Sequence, residues 1–201
     1  MLTRRLFLEQ LAAGGAATAL RPSFATEQDR GLRDFAARHH IVYGCAAATY
    51  ELKDADFSLA LVREAAILSA EYEMKRKALE PARGAFDFSG GDGLLAFAQR
   101  NGISFRGHTL VWHHSNPPWL EDALQAHDAE PLLTNYIADV AGHYKGRVHS
   151  WDVVNEAIQP SDGRRDGLRN SMWLRRFGPG YIDTAFHAAH QADPGAMLVY
   201  N

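Results

Sequence analysis

The alternation of short apolar runs with longer amphipathic stretches is the feature that most restricts the fold of this chain. Strands are predicted at residues 41–49, 103–112, 148–155 and 197–200, and an ambiguous run at residues 69–75 completes a set of five. Helices are predicted between them at residues 54–68, 92–101, 128–144 and 181–192, with Asp56 as the N-cap of the first. This rhythm predicts parallel βα units, in either an open doubly wound sheet or an incomplete (β/α)8 barrel.

Two observations favour the barrel. The residues that end the first strand, Gly-Cys-Ala-Ala at 44–47, lack the glycine-rich fingerprint of a dinucleotide-binding sheet. The last apolar run reaches the end of the sequence without a covering helix, and a complete barrel usually needs about 250 residues. We therefore expect an α/β chain that contains about the first five β/α units of a (β/α)8 TIM barrel.

The first 25 residues differ in character from the rest. Arg4 and Arg5 directly precede Leu-Phe-Leu and a short apolar segment, and small residues follow at residues 23–25. This pattern predicts a twin-arginine signal peptide over residues 1–25 rather than a membrane span, and therefore an exported protein, periplasmic or extracellular. Residues 26–201 are then expected to form one truncated domain.

Charge and cysteine content exclude several classes of protein. A formal net charge of −3 gives no electrostatic field for nucleic acid or an anionic membrane, so neither is expected as a partner. The single cysteine, Cys45, excludes an internal disulfide. It lies in an apolar run, which predicts a small buried side chain rather than a reactive thiol.

Residues 150–157, Ser-Trp-Asp-Val-Val-Asn-Glu-Ala, predict a buried strand that ends abruptly in an amide and a carboxylate, Asn155 and Glu156. Catalytic groups of parallel α/β proteins lie at the carboxyl ends of the strands. Burial against valine and tryptophan would raise the pKa of the Glu156 carboxyl and suit it to general acid catalysis. A structural glutamate in an ion pair is equally compatible with this stretch alone.

Two other strand ends carry polar and aromatic residues. His108 and Trp112 share a strand face, where an indole can stack on a sugar ring and an imidazole can bind hydroxyls. Taken alone, they also fit a core histidine and a packing tryptophan. Glu71 and Lys75 follow the second strand, where a solvated rim is the simpler interpretation. Convergence of all three pairs at one face favours a single site.

We expect neither a metal nor a cofactor at this site. His108 and His113 fall on opposite faces of the predicted strand, and adjacent histidines cannot both point into one site.

The ordered motifs of residues 44–201 resemble family 10 of the glycoside hydrolases, the endo-1,4-β-xylanases built on a (β/α)8 barrel. The motifs include Glu-Met-Lys at 73–75, Glu-Pro at 80–81, Arg-Gly-His-Thr-Leu-Val-Trp-His at 106–113, Trp-Asp-Val-Val-Asn-Glu-Ala at 151–157 and Ala-Asp-Pro at 192–194.

The resemblance implies retaining hydrolysis of xylan or xylo-oligosaccharides by an enzyme that is monomeric when full length. It implies that Glu156 is the acid/base and that Asn155 binds the sugar hydroxyl beside the cleaved bond. It implies further that the glycone subsites are lined by Glu71, Lys75, His108 and Trp112.

The sequence departs from the family pattern. Tyr72 replaces an asparagine, Arg76 a tryptophan and Ser115 a glutamine. The family's nucleophilic glutamate lies on the seventh strand, and no carboxylate in residues 26–201 matches its motif, so the resemblance implies an inactive N-terminal fragment. The alternatives are a barrel hydrolase for another β-1,4-glycan and a non-catalytic glycan-binding fragment.

Overall fold

Five parallel strands form one sheet in the computed structural model, which describes residues 30–201. The strands are β1 (Gly44–Ala47), β2 (Ile67–Ala70), β3 (Ser104–Val111), β4 (Ser150–Val154) and β5 (Met197–Tyr200). Their spatial order is β1-β2-β3-β4-β5, and every neighbouring pair is parallel. A doubly wound sheet reverses its strand order at a switch point, so this uninterrupted order is that of a partial barrel. The predicted signal peptide at residues 1–25 lies outside the described residues.

Helices connect successive strands and pack on the sheet. They are α1 (Leu32–Ala37), α2 (Ala55–Glu64), α3 (Arg76–Leu79), α4 (Ser89–Arg100), α5 (Trp119–Ala123), α6 (Pro131–His143), α7 (Met172–Phe177) and α8 (Tyr181–Ala192). The bounds predicted for α8 and β5 are confirmed. The short helices α1, α3, α5 and α7 and two 3₁₀ turns were not predicted, because four to six residues are too few to establish a helical period.

The boundary between α2 and β2 differs from the prediction. Apolar residues at helical spacing run on to Leu68, but α2 ends at Glu64 and Leu68 is a buried residue of β2. The spacing continues by coincidence through Ala65, whose backbone is extended. The N-cap is Asp54 rather than Asp56, because Asp54 Oδ1 accepts hydrogen bonds from the amides of Asp56 and Phe57.

The core lies between the sheet and the helices that cover it. Trp151, Trp173, Tyr144 and Phe105 are its largest fully buried side chains. A Cβ atom added to Gly107 would lie 2.2 Å from the Trp151 ring, so β3 and β4 pack this closely only because residue 107 has no side chain.

Strand β1, at one edge of the sheet in residues 30–201, is partly open. Cys45 on β1 is exposed, which makes the prediction of a buried cysteine wrong. Cys45 is in register with Leu68 and shares its face of the sheet, but Leu68 is buried and Cys45 is not. Apolar neighbours in the sequence do not reveal that a strand lies at the edge of a sheet, as β1 does in residues 30–201. Within the same residues, no helix is both long and apolar enough to span a membrane.

Candidate active site

The carboxyl ends of β2, β3 and β4 bring the predicted site residues to one edge of the sheet. Trp112 is central: its ring centroid lies 6.4 Å from that of His108 and 5.8 Å from Lys75 Nζ. Trp112 Nε1 also donates a hydrogen bond of 3.0 Å to Glu156 Oε2. The indole therefore connects groups from three strand ends.

Glu156 follows β4 in a left-handed backbone conformation, with φ of 53°. Its amide donates to the Asn201 carbonyl oxygen at 2.7 Å, and its own carbonyl accepts from Arg169 Nε at 2.6 Å. Such a conformation is uncommon for a residue other than glycine and persists only where the surrounding contacts hold it.

The expected burial of the Glu156 carboxyl is wrong for the described residues, since its side chain is 48% exposed. The left-handed turn carries the carboxyl beyond the packing of β4, so the valines and tryptophan of that strand do not enclose it. Its hydrogen bond to Trp112, rather than desolvation, fixes the position of this carboxyl.

Asn155 is buried beside Glu156. Its amide donates to the Val111 carbonyl oxygen at 2.9 Å, which continues the ladder between β3 and β4. Its side-chain Oδ1 accepts a hydrogen bond of 2.7 Å from Asn201 Nδ2. The Nδ2 group of Asn155 is then the end of the side chain that remains to donate to a ligand.

His108 is held by Asp152, a buried residue of β4 to which the sequence analysis gave no role. His108 Nδ1 lies 2.9 Å from Asp152 Oδ2, and Arg106 binds the same carboxylate through Nε at 2.9 Å and through its terminal nitrogen. Burial raises the pKa of the Asp152 carboxyl, but the hydrogen bonds from His108 and Arg106 outweigh it and the pKa lies below its usual value. An ionised carboxylate only accepts, so His108 Nδ1 carries a proton and donates to Asp152, which leaves Nε2 to contact a ligand.

This arrangement has a signal in the sequence. An aspartate inside an otherwise apolar strand needs a charged partner, and Arg106 and His108 share one face of the neighbouring strand.

His113 lies close to Glu156 without a firm bond to it, with Nε2 4.0 Å from Glu156 Oε2. Burial, followed by the positive charges of His114 and Arg169, lowers the pKa of His113 to about 4. The ring is therefore neutral at neutral pH. Within residues 30–201, no group of three or more histidine, cysteine, aspartate or glutamate side chains is arranged to hold a metal ion.

Lys75 reaches across the ends of β2 and β3. Its ammonium donates to the carbonyl oxygen of Glu71, and its nitrogen lies over the rings of both Tyr72 and Trp112. Burial lowers the pKa of Lys75, while the carboxylates of Glu71 and Glu73 act in the opposite direction. Glu71 itself is half-buried at this edge.

Arg76 lies beneath the site and is buried. Its guanidinium carbon is 4.0 Å from the Tyr136 ring centroid, and a terminal nitrogen is 2.9 Å from Glu80 Oε2. Trp173 packs over the same guanidinium and donates through Nε1 to the Trp112 carbonyl oxygen at 2.8 Å. Arg76, which stands where the family pattern has tryptophan, thus helps to position Trp112 through Trp173.

A groove of about 610 Å³ lies between α6 and α8, away from the strand ends that carry the candidate site. It contains no residue from a strand end, so its position does not match that of the convergent polar groups.

Comparisons with known proteins agree with this geometry. The model of glycosyl hydrolase family 10 matches residues 31–201. The chain belongs to glycosyl hydrolase family 10. The family resemblance and the partial barrel predicted from the sequence are confirmed.

Family 10 relatives match at moderate identity. Endo-1,4-beta-xylanase 2 of Claviceps purpurea is 33% identical over 100% of this chain and 61% of its own length. Endo-1,4-beta-xylanase A of Thermotoga neapolitana is 44% identical over 66% of this chain and 13% of its own length. The crystal structure of xylanase 10B from Thermotoga petrophila RKU-1 in complex with xylobiose superimposes with a TM-score of 0.78 at 36% identity, covering 88% of this chain and 54% of that one. The chain therefore spans only part of the length of these relatives.

Proposed function

We propose that the protein hydrolyses internal β-1,4-xylosidic linkages of xylan, with Glu156 as the acid/base. The observation that carries the proposal is the hydrogen bond from Trp112 to Glu156, which points a strand-end carboxyl toward an aromatic, sugar-sized surface. Membership of family 10 supports the reaction class, and the xylobiose complex of the T. petrophila xylanase supports the substrate class.

The mechanism is a retaining double displacement. Glu156 donates its proton to the leaving glycosidic oxygen while a second carboxylate attacks the anomeric carbon, through an oxocarbenium-like transition state. Glu156 then removes a proton from the water that releases the sugar. We assign this second carboxylate to no residue of 26–201, because none matches the family motif for it.

The neighbouring residues bind and orient the sugar. Asn155 Nδ2 donates to the 2-hydroxyl, a bond that strengthens as charge develops at the anomeric carbon. Glu71, Lys75 and His108 bind hydroxyls of the glycone, and the Trp112 ring stacks on a sugar face.

The Glu156→Gln variant of the full-length protein tests the assignment of Glu156 as the acid/base. Loss of the proton donor should lower turnover of xylan by about 10²- to 10⁴-fold. Aryl xylosides with good leaving groups should still form the glycosyl-enzyme, because they need no protonation. Glu121→Gln, at an exposed surface glutamate, is the matched control. An equal loss of rate for both substrate types, measured by steady-state and burst kinetics, would contradict the assignment.

A non-catalytic glycan-binding protein is the second candidate. Xylo-oligosaccharide binding without release of reducing ends would support it. Hydrolysis of another β-1,4-glycan in preference to xylan would instead change the substrate class.

A further inference from the structure

Glu73 ties together the turns that follow β1 and β2. Its Oε1 accepts hydrogen bonds from the amide and the hydroxyl of Thr49 at 2.6 and 2.8 Å, and its Oε2 accepts from the amide of Tyr72 at 3.2 Å. Burial raises the pKa of the Glu73 carboxyl, but these hydrogen bonds outweigh it and the pKa lies below its usual value. The Glu73 carboxylate is therefore charged at neutral pH, and its hydrogen bonds fix the position of one turn relative to the other.

Each of the tied turns presents a tyrosine to solvent. Tyr50 is 60% exposed and Tyr72 is 56% exposed, although neither ring contributes to the core. Single exposed aromatic residues are common. Here two of them lie on turns whose relative position is fixed by the hydrogen bonds of Glu73, so the two rings are positioned in advance for a ligand. The phenol of Tyr50 has a raised pKa, first because of Glu51 and also because of Tyr72 and the nearby carboxylates, so it stays protonated and uncharged.

Lys75 connects this surface to the candidate active site. Its Nζ lies 5.6 Å from the Tyr72 ring centroid and 5.8 Å from the Trp112 ring centroid. Trp112 in turn donates to Glu156. The Lys75 ammonium is thus within cation–π range of the rings of both Tyr72 and Trp112, and it connects the turn of Tyr72 to the ring that binds Glu156.

We propose that Tyr72 and Tyr50 form an aromatic platform for a xylose unit of the substrate that lies beyond the sugar at Trp112. The proposal rests on the proposed function, because it takes Glu156 as the acid/base and xylan as the substrate. A xylopyranose ring has no exocyclic hydroxymethyl group, so its C–H faces lie flat on a phenol ring. Where family members carry asparagine, a hydrogen-bonding group, this chain has the ring of Tyr72. Recognition of the distal sugar here depends on stacking more than on its hydroxyls.

The test measures binding of xylohexaose and xylobiose to the full-length protein by isothermal titration calorimetry. Glu156→Gln is present in every titration so that the ligand is not cleaved, and the wild type below is the protein with all tyrosines unchanged. Tyr72→Ala and Tyr50→Ala should each weaken xylohexaose binding about 3- to 10-fold, the worth of one aromatic contact, and should change xylobiose binding much less. Tyr72→Phe keeps the ring and should bind as the wild type does. Tyr43→Ala is the matched control, since Tyr43 is an exposed tyrosine just before the amino end of β1. Circular dichroism and thermal unfolding establish that each variant is folded.

Four results would overturn the platform. They are no binding of xylohexaose by the wild type, unchanged affinity in Tyr72→Ala, an equal loss in Tyr43→Ala, and a loss in Tyr72→Phe as large as in Tyr72→Ala. Release of reducing ends from xylan is assayed separately. Tyrosine-dependent binding without hydrolysis would leave the platform standing and refute the proposed reaction, whereas Glu156-dependent hydrolysis with unchanged binding in the alanine variants would do the reverse.

Discussion

Asp152 is a charged residue in the middle of a buried strand, and its partners decide whether that position is stable. Arg106 and His108 both bind its carboxylate. A buried carboxylate without such partners would be strongly destabilising, because charge is poorly solvated inside a protein. The hydrogen bond from His108 also orients its ring, so one carboxylate contributes to both stability and the site.

Asp152→Asn should destabilise the protein by about 1–3 kcal/mol at neutral pH, since Arg106 loses its ionised partner. The pKa of Asp152 is lowered on folding, so its contribution is present above the ordinary value of 3.8 and is lost as the pH falls below it. Urea unfolding at pH 7 and in steps below pH 3.8 checks both points. Asp139→Asn, at an exposed aspartate of α6, is the control. If the wild type and Asp152→Asn lose stability equally on acidification, the assigned role is wrong.

At the scale of residues, the sequence predicted which side chains lie together better than it predicted how buried they are and what they bind. Lys75, His108, Trp112 and Glu156 converge because strand ends of a parallel sheet share one edge. The exposure of Glu156 depends on a left-handed turn, and the role of Arg169 depends on a contact across the loop that follows β4. Neither is encoded in a local pattern.

The close approach of β3 and β4 depends on Gly107. Gly107→Ala should destabilise the protein by about 1–3 kcal/mol, because the new methyl group collides with the ring of Trp151. Gly142→Ala in α6 is a matched control, since a Cβ there meets nothing within 4 Å. Alanine is the better helix former, so this control should be neutral or stabilising by up to about 1 kcal/mol. Thermal unfolding of both variants makes the comparison, and equal stabilities would show that β3 shifts freely.

At the scale of elements, long amphipathic helices were predictable and short ones were not. The pattern at residues 181–192 predicts α8 correctly because both its faces and its Asp-Pro stop are visible in the sequence. The end of α2 was misplaced, because an apolar residue at helical spacing is compatible with a following strand.

The whole molecule has two sheet edges in the described residues, at β1 and β5. Exposed apolar side chains lie near both of them, including Ile41, Val42 and Met197. Unpaired edges and apolar surface together promote association between chains. The sequential strand order was predictable from the βα rhythm, whereas the identity of whatever pairs with these edges was not, because a period reports local structure only.

Residues 26–201, expressed alone, should therefore bind a hydrophobic dye such as ANS and self-associate. A few hundred Å² of exposed apolar surface costs several kcal/mol at about 25 cal/mol per Å², which is comparable with the stability of a domain, about 5–15 kcal/mol. Size-exclusion chromatography and dye fluorescence measure the outcome. A monomer with a sharp unfolding transition and no dye binding would contradict this expectation.

The two hydrogen bonds that join Asn155 and Glu156 to Asn201 also have a consequence in time. A ribosome makes the segment with the acid/base well before the segment that holds it. During synthesis, the left-handed turn at Glu156 therefore lacks these two hydrogen bonds until β5 and Asn201 have been made. Among residues 30–201, β1 to β4 can pair before Asn201 is made, so most of the sheet can form before the proposed proton donor gains these two hydrogen bonds.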